Sequence, residues 1–138
     1  MARSARVFVV DRDASARNGL ARLLRTAGHE VHDCASVKKF LDALDSEAPG
    51  LAVLDAQTPG LSAERLHAKL KARGLLLPII VVSADDIPAT WQLAQELKAA
   101  AVFRKPVDGR ALIDAINWAL SLYSTFGSPE RGYGRGGS

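Results

Sequence analysis

"ARVFVVDRDASARNGLARLLRTAG", residues Ala5–Gly28, changes its hydrophobic period part-way along, and that change decides the fold. Ala5–Val10 is an apolar run broken only by Arg6, with the length and β-branched content of a buried strand. Leu20, Leu23, Leu24 and Ala27 then recur at the spacing of one helical face, and Gly28 supplies a left-handed stop. Between the two periods stand Asp11, Arg12 and Asp13. Aspartates at the end of a buried strand usually collect a metal ion or a phosphate-bearing ligand. The arginine between them is therefore the unexpected residue.

The same switch of period repeats along the chain. "EVHDC" (Glu30–Cys34) alternates as an edge strand does, and Ser36 can cap a helix with Val37, Phe40, Leu41 and Leu44 on one face. Pro49-Gly50 breaks the chain before a third strand, "LAVL" (Leu51–Leu54). Ser62 can cap the next helix, with Leu66 and Leu70 inward, Lys69, Lys71 and Arg73 in its C-terminal half and Gly74 as its stop. "PIIVV" (Pro78–Val82) is the fourth strand, and Pro88 suits the first turn of the helix that follows. "AVFR" (Ala101–Arg104) is a short fifth strand. The last helix spans about Gly109–Tyr123, with Leu112, Ile116, Ala119 and Tyr123 on its inner stripe. Strands alternating with helices predict an α/β fold whose parallel sheet is covered on both faces. The expected domain is 1–123. From Ser124 the glycine-rich "STFGSPERGYGRGGS" (124–138) has no period and is expected to be a disordered tail.

Composition narrows the classes. A chain of 138 residues buries a substantial core without a structural metal. Its net charge of +3 comes without a dense basic block, so direct nucleic-acid binding is not expected. Cys34 is the single cysteine and reads as a small core residue. The apolar start is cut off by Asp11, unlike a signal peptide. "LLLPIIVVSA" is too short to cross a bilayer, so the expectation is a cytoplasmic protein with no membrane partner.

Right-handed crossovers place every strand's C-terminal end on one edge of the sheet. Asp11, Asp55, Ser83 and Lys105 each end or directly follow a strand, and ligands of open α/β sheets bind at that edge. Taken singly, each has an ordinary explanation: a capping aspartate, a turn serine, a lysine before a strand-stopping proline. Together, two carboxylates, a hydroxyl and an ammonium suit a phosphoryl group carried on a carboxylate.

These residues resemble the receiver domain of two-component response regulators over about Arg6–Leu122. The motifs are "VVDRDASAR", "LAVLDAQTPG", "IIVVSA" and "FRKPVDG". "DIPAT" and "TPGLSA" are similar to segments in receivers of nitrogen-fixation-type transcriptional regulators. The resemblance implies a flavodoxin-like doubly wound sheet of order 2-1-3-4-5. It makes Asp55 the phosphoacceptor, served by a histidine kinase or phosphotransfer protein. Ser83 is then the hydroxyl that closes onto the phosphoryl group, and Lys105 the ammonium that contacts it. Mg²⁺ would be held by Asp11, Asp55 and the Gln57 carbonyl. Such a domain is not an enzyme beyond assisting its own phosphorylation and dephosphorylation. It signals through the face formed by helix 4, strand 5 and helix 5, to a homodimer partner or a downstream protein.

Three positions depart from the family pattern. Arg12 stands where a second acid usually contacts the metal, and Asp13 is better placed to cap a helix than to ligate. The usual switch aromatic is Val102, with Phe103 beside it, and Lys98 replaces a common glycine. Arg12 either points outward or pairs with Asp13, or it folds onto Asp11 or Asp55 as a bidentate partner. Exchanging an acid for arginine changes the local charge by two units. One unit pair at about 4 Å is worth on the order of 4 kcal/mol at an effective dielectric near 20. On this ground impaired Mg²⁺-dependent phosphorylation is expected, together with a lowered pKa for Asp55.

Two rival functions remain. "VFVVDRDAS" also resembles the first motif of haloacid-dehalogenase-type phosphatases, with Asp11 as nucleophile and Asp13 as general acid/base. That reading leaves "LDAQTPG" unexplained. A receiver-shaped binding module that never uses phosphate is the other. Ala111, Ala115, Trp118 and Leu122 make an apolar stripe beside the last helix's inner face, and an exposed Trp118 would mark a partner surface. Trp91 is expected to finish the core. No DNA-binding or kinase segment follows, so the chain is a single-domain receiver or a piece of a longer one.

Overall fold

In a strand, neighbouring side chains point to opposite faces, and three of this protein's strands are apolar at nearly every position. The computed structural model describes residues 6–44 and 50–126, with side chains through Leu122. It contains β1 (Arg6–Val10), β2 (Glu30–Cys34), β3 (Leu51–Asp55), β4 (Ile79–Ser83) and β5 (Ala101–Arg104). All pair in parallel, in the order β2-β1-β3-β4-β5. β3 and β4 are buried throughout and β1 beyond Arg6, whereas β2 and β5, on the edges, are only partly buried.

The helices are α1 (Ala14–Thr26), α2 (Val37–Ala43), α3 (Ala63–Ala72), α4 (Pro88–Leu97) and α5 (Gly109–Phe126). They divide between the two faces. Val7, Val9, Leu51, Val53, Ile80 and Val82 pack against Ala21 and Leu24 of α1 and Leu112, Ile116 and Ala119 of α5. The alternate residues Phe8, Val10, Ala52, Leu54, Ile79 and Val81 pack against α2, α3 and α4 through Phe40, Leu41, Leu66, Leu70, Ala94 and Leu97. Each large side chain removed from water in this way contributes about 1.5–3 kcal/mol. Cys34 is buried in the second of these layers, as expected.

Local chemistry sets the boundaries. Ser36 and Ser62 accept hydrogen bonds from Lys39 N and Arg65 N and start α2 and α3. Asp13 accepts from Ser15 N and Ala16 N and starts α1. Gly50 lies at φ 80°, and a Cβ there would sit 1.9 Å from the Arg6 carbonyl oxygen, so only glycine lets β3 enter beside β1. Lys98 ends α4 at φ 55°, ψ 47°, a left-handed position that costs a non-glycine residue about 1 kcal/mol. α5 continues through Phe126, past the expected boundary at Tyr123, so Ser124–Phe126 are helical and not tail. The rest of the expected tail, 127–138, lies outside the described residues.

Candidate functional site

Each strand hands its chain to the same edge, and the ladder reaches one residue beyond most strand ends. Asp11 N donates to Cys34 O at 3.1 Å, Ala56 N to Val82 O at 2.8 Å, and Lys105 N to Ser83 O at 2.8 Å. These bonds bring Asp11, Asp55, Ser83 and Lys105 level. Asp11 and Asp55 are buried, at 1% and 5% exposure. The Lys105 ammonium donates to Asp11 Oδ2 at 2.6 Å and lies 3.6 Å from Asp55 Oδ1. Two carboxylates from β1 and β3 therefore share one cation from the end of β5, where the Lys105–Pro106 peptide is cis.

Burial, and then the Asp11 charge, push the Asp55 carboxyl above its ordinary range, against the opposing pull of Lys105 and of the Gln57 backbone N–H. Lys105 is itself pulled down by burial, but its bond to Asp11 and the charges of both aspartates prevail and raise it. The lowered Asp55 pKa expected from Arg12 is thus reversed. The reason is geometric: Arg12 is exposed and makes no ion pair or side-chain hydrogen bond with any described residue. It neither folds onto Asp11 or Asp55 nor pairs with Asp13. The cation built into the acid pair is Lys105.

The neighbouring turns hold this arrangement. Asp11 Oδ1 accepts from Asp13 N at 2.9 Å, closing a turn with Arg12 at its tip. Arg17 Nη1 donates to the Asp11 carbonyl at 2.7 Å. Thr58, buried, donates from both its backbone N and its Oγ1 to the Asp55 carbonyl, at 3.0 and 2.7 Å. Ser83 does not reach Asp55. Its hydroxyl donates to Asp85 O at 2.9 Å, lies 3.3 Å from both Gln57 Oε1 and Thr90 Oγ1, and accepts from Asp85 N. Sequence reasoning missed Arg17, Thr58, Thr90 and Asp85. For Thr58 and Thr90 a signal existed: a threonine three residues after the acceptor, and one on the apolar spacing of α4.

A family model described as the response regulator receiver domain matches residues 7–117. The chain belongs to the response regulator receiver family. It is similar to the transcriptional regulatory protein TdiR of Thauera aromatica, 39% identical over 84% of this chain and 51% of TdiR. It is also similar to the transcriptional regulatory protein FixJ of Azorhizobium caulinodans, 35% identical over 94% of this chain and 62% of FixJ. The chain therefore spans about half to three-fifths of these relatives. Among solved structures, the response regulator StyR matches at 38% identity and TM-score 0.74, over 89% of this chain and 62% of StyR. A receiver from Methanospirillum hungatei (TM-score 0.76, 24% identity, 89% of this chain and 98% of that one) shares the fold.

Membership sets aside the phosphatase resemblance, and Asp13 agrees, being spent on capping α1. Receivers generally use Mg²⁺ at an acidic site. Here the donors fit a hard cation in kind: two buried carboxylates, one with an oxygen, Asp55 Oδ1, that has no hydrogen-bond partner. They are few: among the described residues no group of three or more His, Cys, Asp or Glu side chains is arranged to hold a metal ion. At the switch position Val102 packs toward the α2–α4 layer, whereas Phe103 packs toward the α1–α5 layer. A recess of about 190 Å³ remains beside Ser83, lined by Thr90, Trp91, Val102, Phe103 and Arg104. Contrary to the core position its sequence suggests, Trp91 is 54% exposed, and its Nε1 donates to Asp86 Oδ1 at 2.6 Å. Thr90 takes the inward position instead.

Proposed function

We propose that this receiver accepts a phosphoryl group on Asp55 from a histidine kinase or phosphotransfer protein, and signals through the face of α4, β5 and α5. The observation that carries the reading is the Lys105 ammonium held between Asp11 and Asp55. An Asp55 oxygen attacks phosphorus, the P–O bond forms, and the P–N bond of the donor phosphohistidine breaks with its electron pair going to the imidazole. Lys105 supplies fixed positive charge to the transferring oxygens without reorganisation. Asp11 and Asp55, with the Gln57 carbonyl, would hold Mg²⁺, which when bound neutralises charge on the phosphoryl oxygens. The Ser83 hydroxyl must leave Asp85 and Gln57 to reach the product, and this movement is the natural source of a signal at α4.

Arg12 tempers the site. It replaces an acid, so the pocket has fewer anionic ligands than is usual. It stays in water, where screening weakens its effect on the buried pair. Weakened, not abolished, Mg²⁺-dependent phosphorylation follows. A second reading, a binding module used without phosphate, is favoured by the same residue. No described helix is long and apolar enough to cross a membrane, which suits action in the cytoplasm.

Beryllium fluoride with Mg²⁺ separates the two. A bound fluoride resonance by ¹⁹F NMR, lost in Asp55→Asn and kept in Asp13→Asn, is expected, with amide shifts at Ser83 and Thr90. No bound resonance at saturating Mg²⁺ would favour the phosphate-independent module.

A further inference from the structure

Arg12 follows Asp11 directly, beside a pocket with two carboxylates and one ammonium, and yet it stays exposed and pairs with no described residue. Coulomb attraction draws a guanidinium toward buried acids, whereas the cost of taking it out of water and the ammonium already there oppose its entry. The backbone on either side of it is firmly held. The turn from Asp11 to Asp13 is pinned at each peptide group. Asp11 N is bound to Cys34 O, Asp13 N to Asp11 Oδ1, and the oxygen of the Asp11–Arg12 peptide to Arg17. That last bond fixes the peptide plane and with it the direction in which Arg12 leaves the chain.

Arg17 is in turn held from outside the site. Its side chain is only 16% exposed, and its Nε lies 3.6 Å from Asp33 Oδ2 at the end of β2. Asp33 Oδ1 lies 3.6 Å from Arg25 Nη2, one of whose protons goes to Val31 O at 3.2 Å. A chain of charges thus runs from α1 through β2 back to the Asp11 carbonyl. We propose that Arg17, steadied by Asp33, is a positioning residue that keeps the Arg12 guanidinium out of the acid pocket, so that no second fixed cation joins Lys105 there in competition with a divalent one. This rests on the phosphoacceptor reading above and adds to it the device that makes Arg12 tolerable.

The test is Mg²⁺ binding by the full chain, read by calorimetry and by Mn²⁺ broadening of the Asp11, Asp55 and Ala56 amides. Arg17→Met should weaken Mg²⁺ binding by roughly tenfold, as loss of an outer support does at metal sites. Arg12→Ala added to Arg17→Met should restore most of it, because the guanidinium that enters the pocket is then gone. Arg17→Lys, which can still donate to the carbonyl, should lose less. Should Arg17→Met fail to fold, Asp33→Asn, which leaves Arg17 in place but unsteadied, should show a smaller loss of the same sign, again relieved by Arg12→Ala. A loss that Arg12→Ala does not relieve means that the loop has merely collapsed, and it overturns the proposal. So does unchanged binding in Arg17→Met. If the wild type binds no Mg²⁺ but Arg12→Ala does, the clamp is refuted and the phosphoacceptor reading stands. If neither binds, the metal-assisted reading falls, and the clamp with it.

Discussion

The two halves of the strand-end edge are built differently. On one side Asp11, Asp55 and Lys105 come from three separate strand ends and are joined by charge, with Asp11 and Asp55 almost wholly buried. On the other, Ser83, Asp85 and Thr90 come from one β4–α4 connection and are joined by neutral hydrogen bonds, with exposed Trp91 beside them. The charged half needs the whole sheet to exist. The neutral half draws mainly on β4, α4 and the loop between them.

Lys105→Met attacks the charged half and should have the largest effect. It leaves two carboxylates facing each other and should cost about 2–3 kcal/mol in chemical denaturation, less than for a wholly buried pair because the Lys105 side chain is 22% exposed. Since Lys105 is raised above its ordinary range, its contribution is fully present at neutral pH and is lost as pH rises through that raised value. The difference between wild type and Lys105→Met should therefore shrink only in strong alkali.

Asp55→Asn sharpens the same half with the opposite sign. With its folded pKa raised, the native protein keeps the Asp55 proton to higher pH than the unfolded chain does. Ionising it costs stability across the interval from the ordinary carboxylate range up to the raised value. At pH 7 the Asn variant should melt higher than wild type. The gap should close as pH falls below that interval, and a lower melting temperature for Asn at pH 7 would contradict the argument.

The neutral half is tested by Thr90→Val. The variant removes the bonds to Ser83 and Asp85 O from a buried position and should cost about 1 kcal/mol, with no change in the Asp55 titration by NMR. Trp118→Ala should change stability least, within about 0.5 kcal/mol, because the indole is 56% exposed on α5. Its effect should instead appear as weaker self-association or partner binding in sedimentation after beryllium fluoride treatment.

Much of this was legible in the sequence. The unbroken runs of β1, β3 and β4 and the alternation of β2 gave the layered sheet, and Ser36, Ser62 and Asp13 gave three helix starts. The strand order needed the family resemblance, because period alone does not say which strand lies beside which. Trp91 was misread because the inward spacing of α4 runs Thr90–Ala94–Leu97, with a polar residue in the place where an apolar one marks the core. The direction of Arg12 was not legible, since it depends on Arg17, one helical turn on, and on Asp33 in another strand.

Acetyl phosphate with Mg²⁺, followed by intact mass, tests most directly whether the shared ammonium marks a phosphoacceptor. One phosphoryl addition is predicted, slow, Mg²⁺-dependent, absent in Asp55→Asn and present in Asp13→Asn. No addition at any Mg²⁺ concentration, or an addition that survives in Asp55→Asn, would contradict the account.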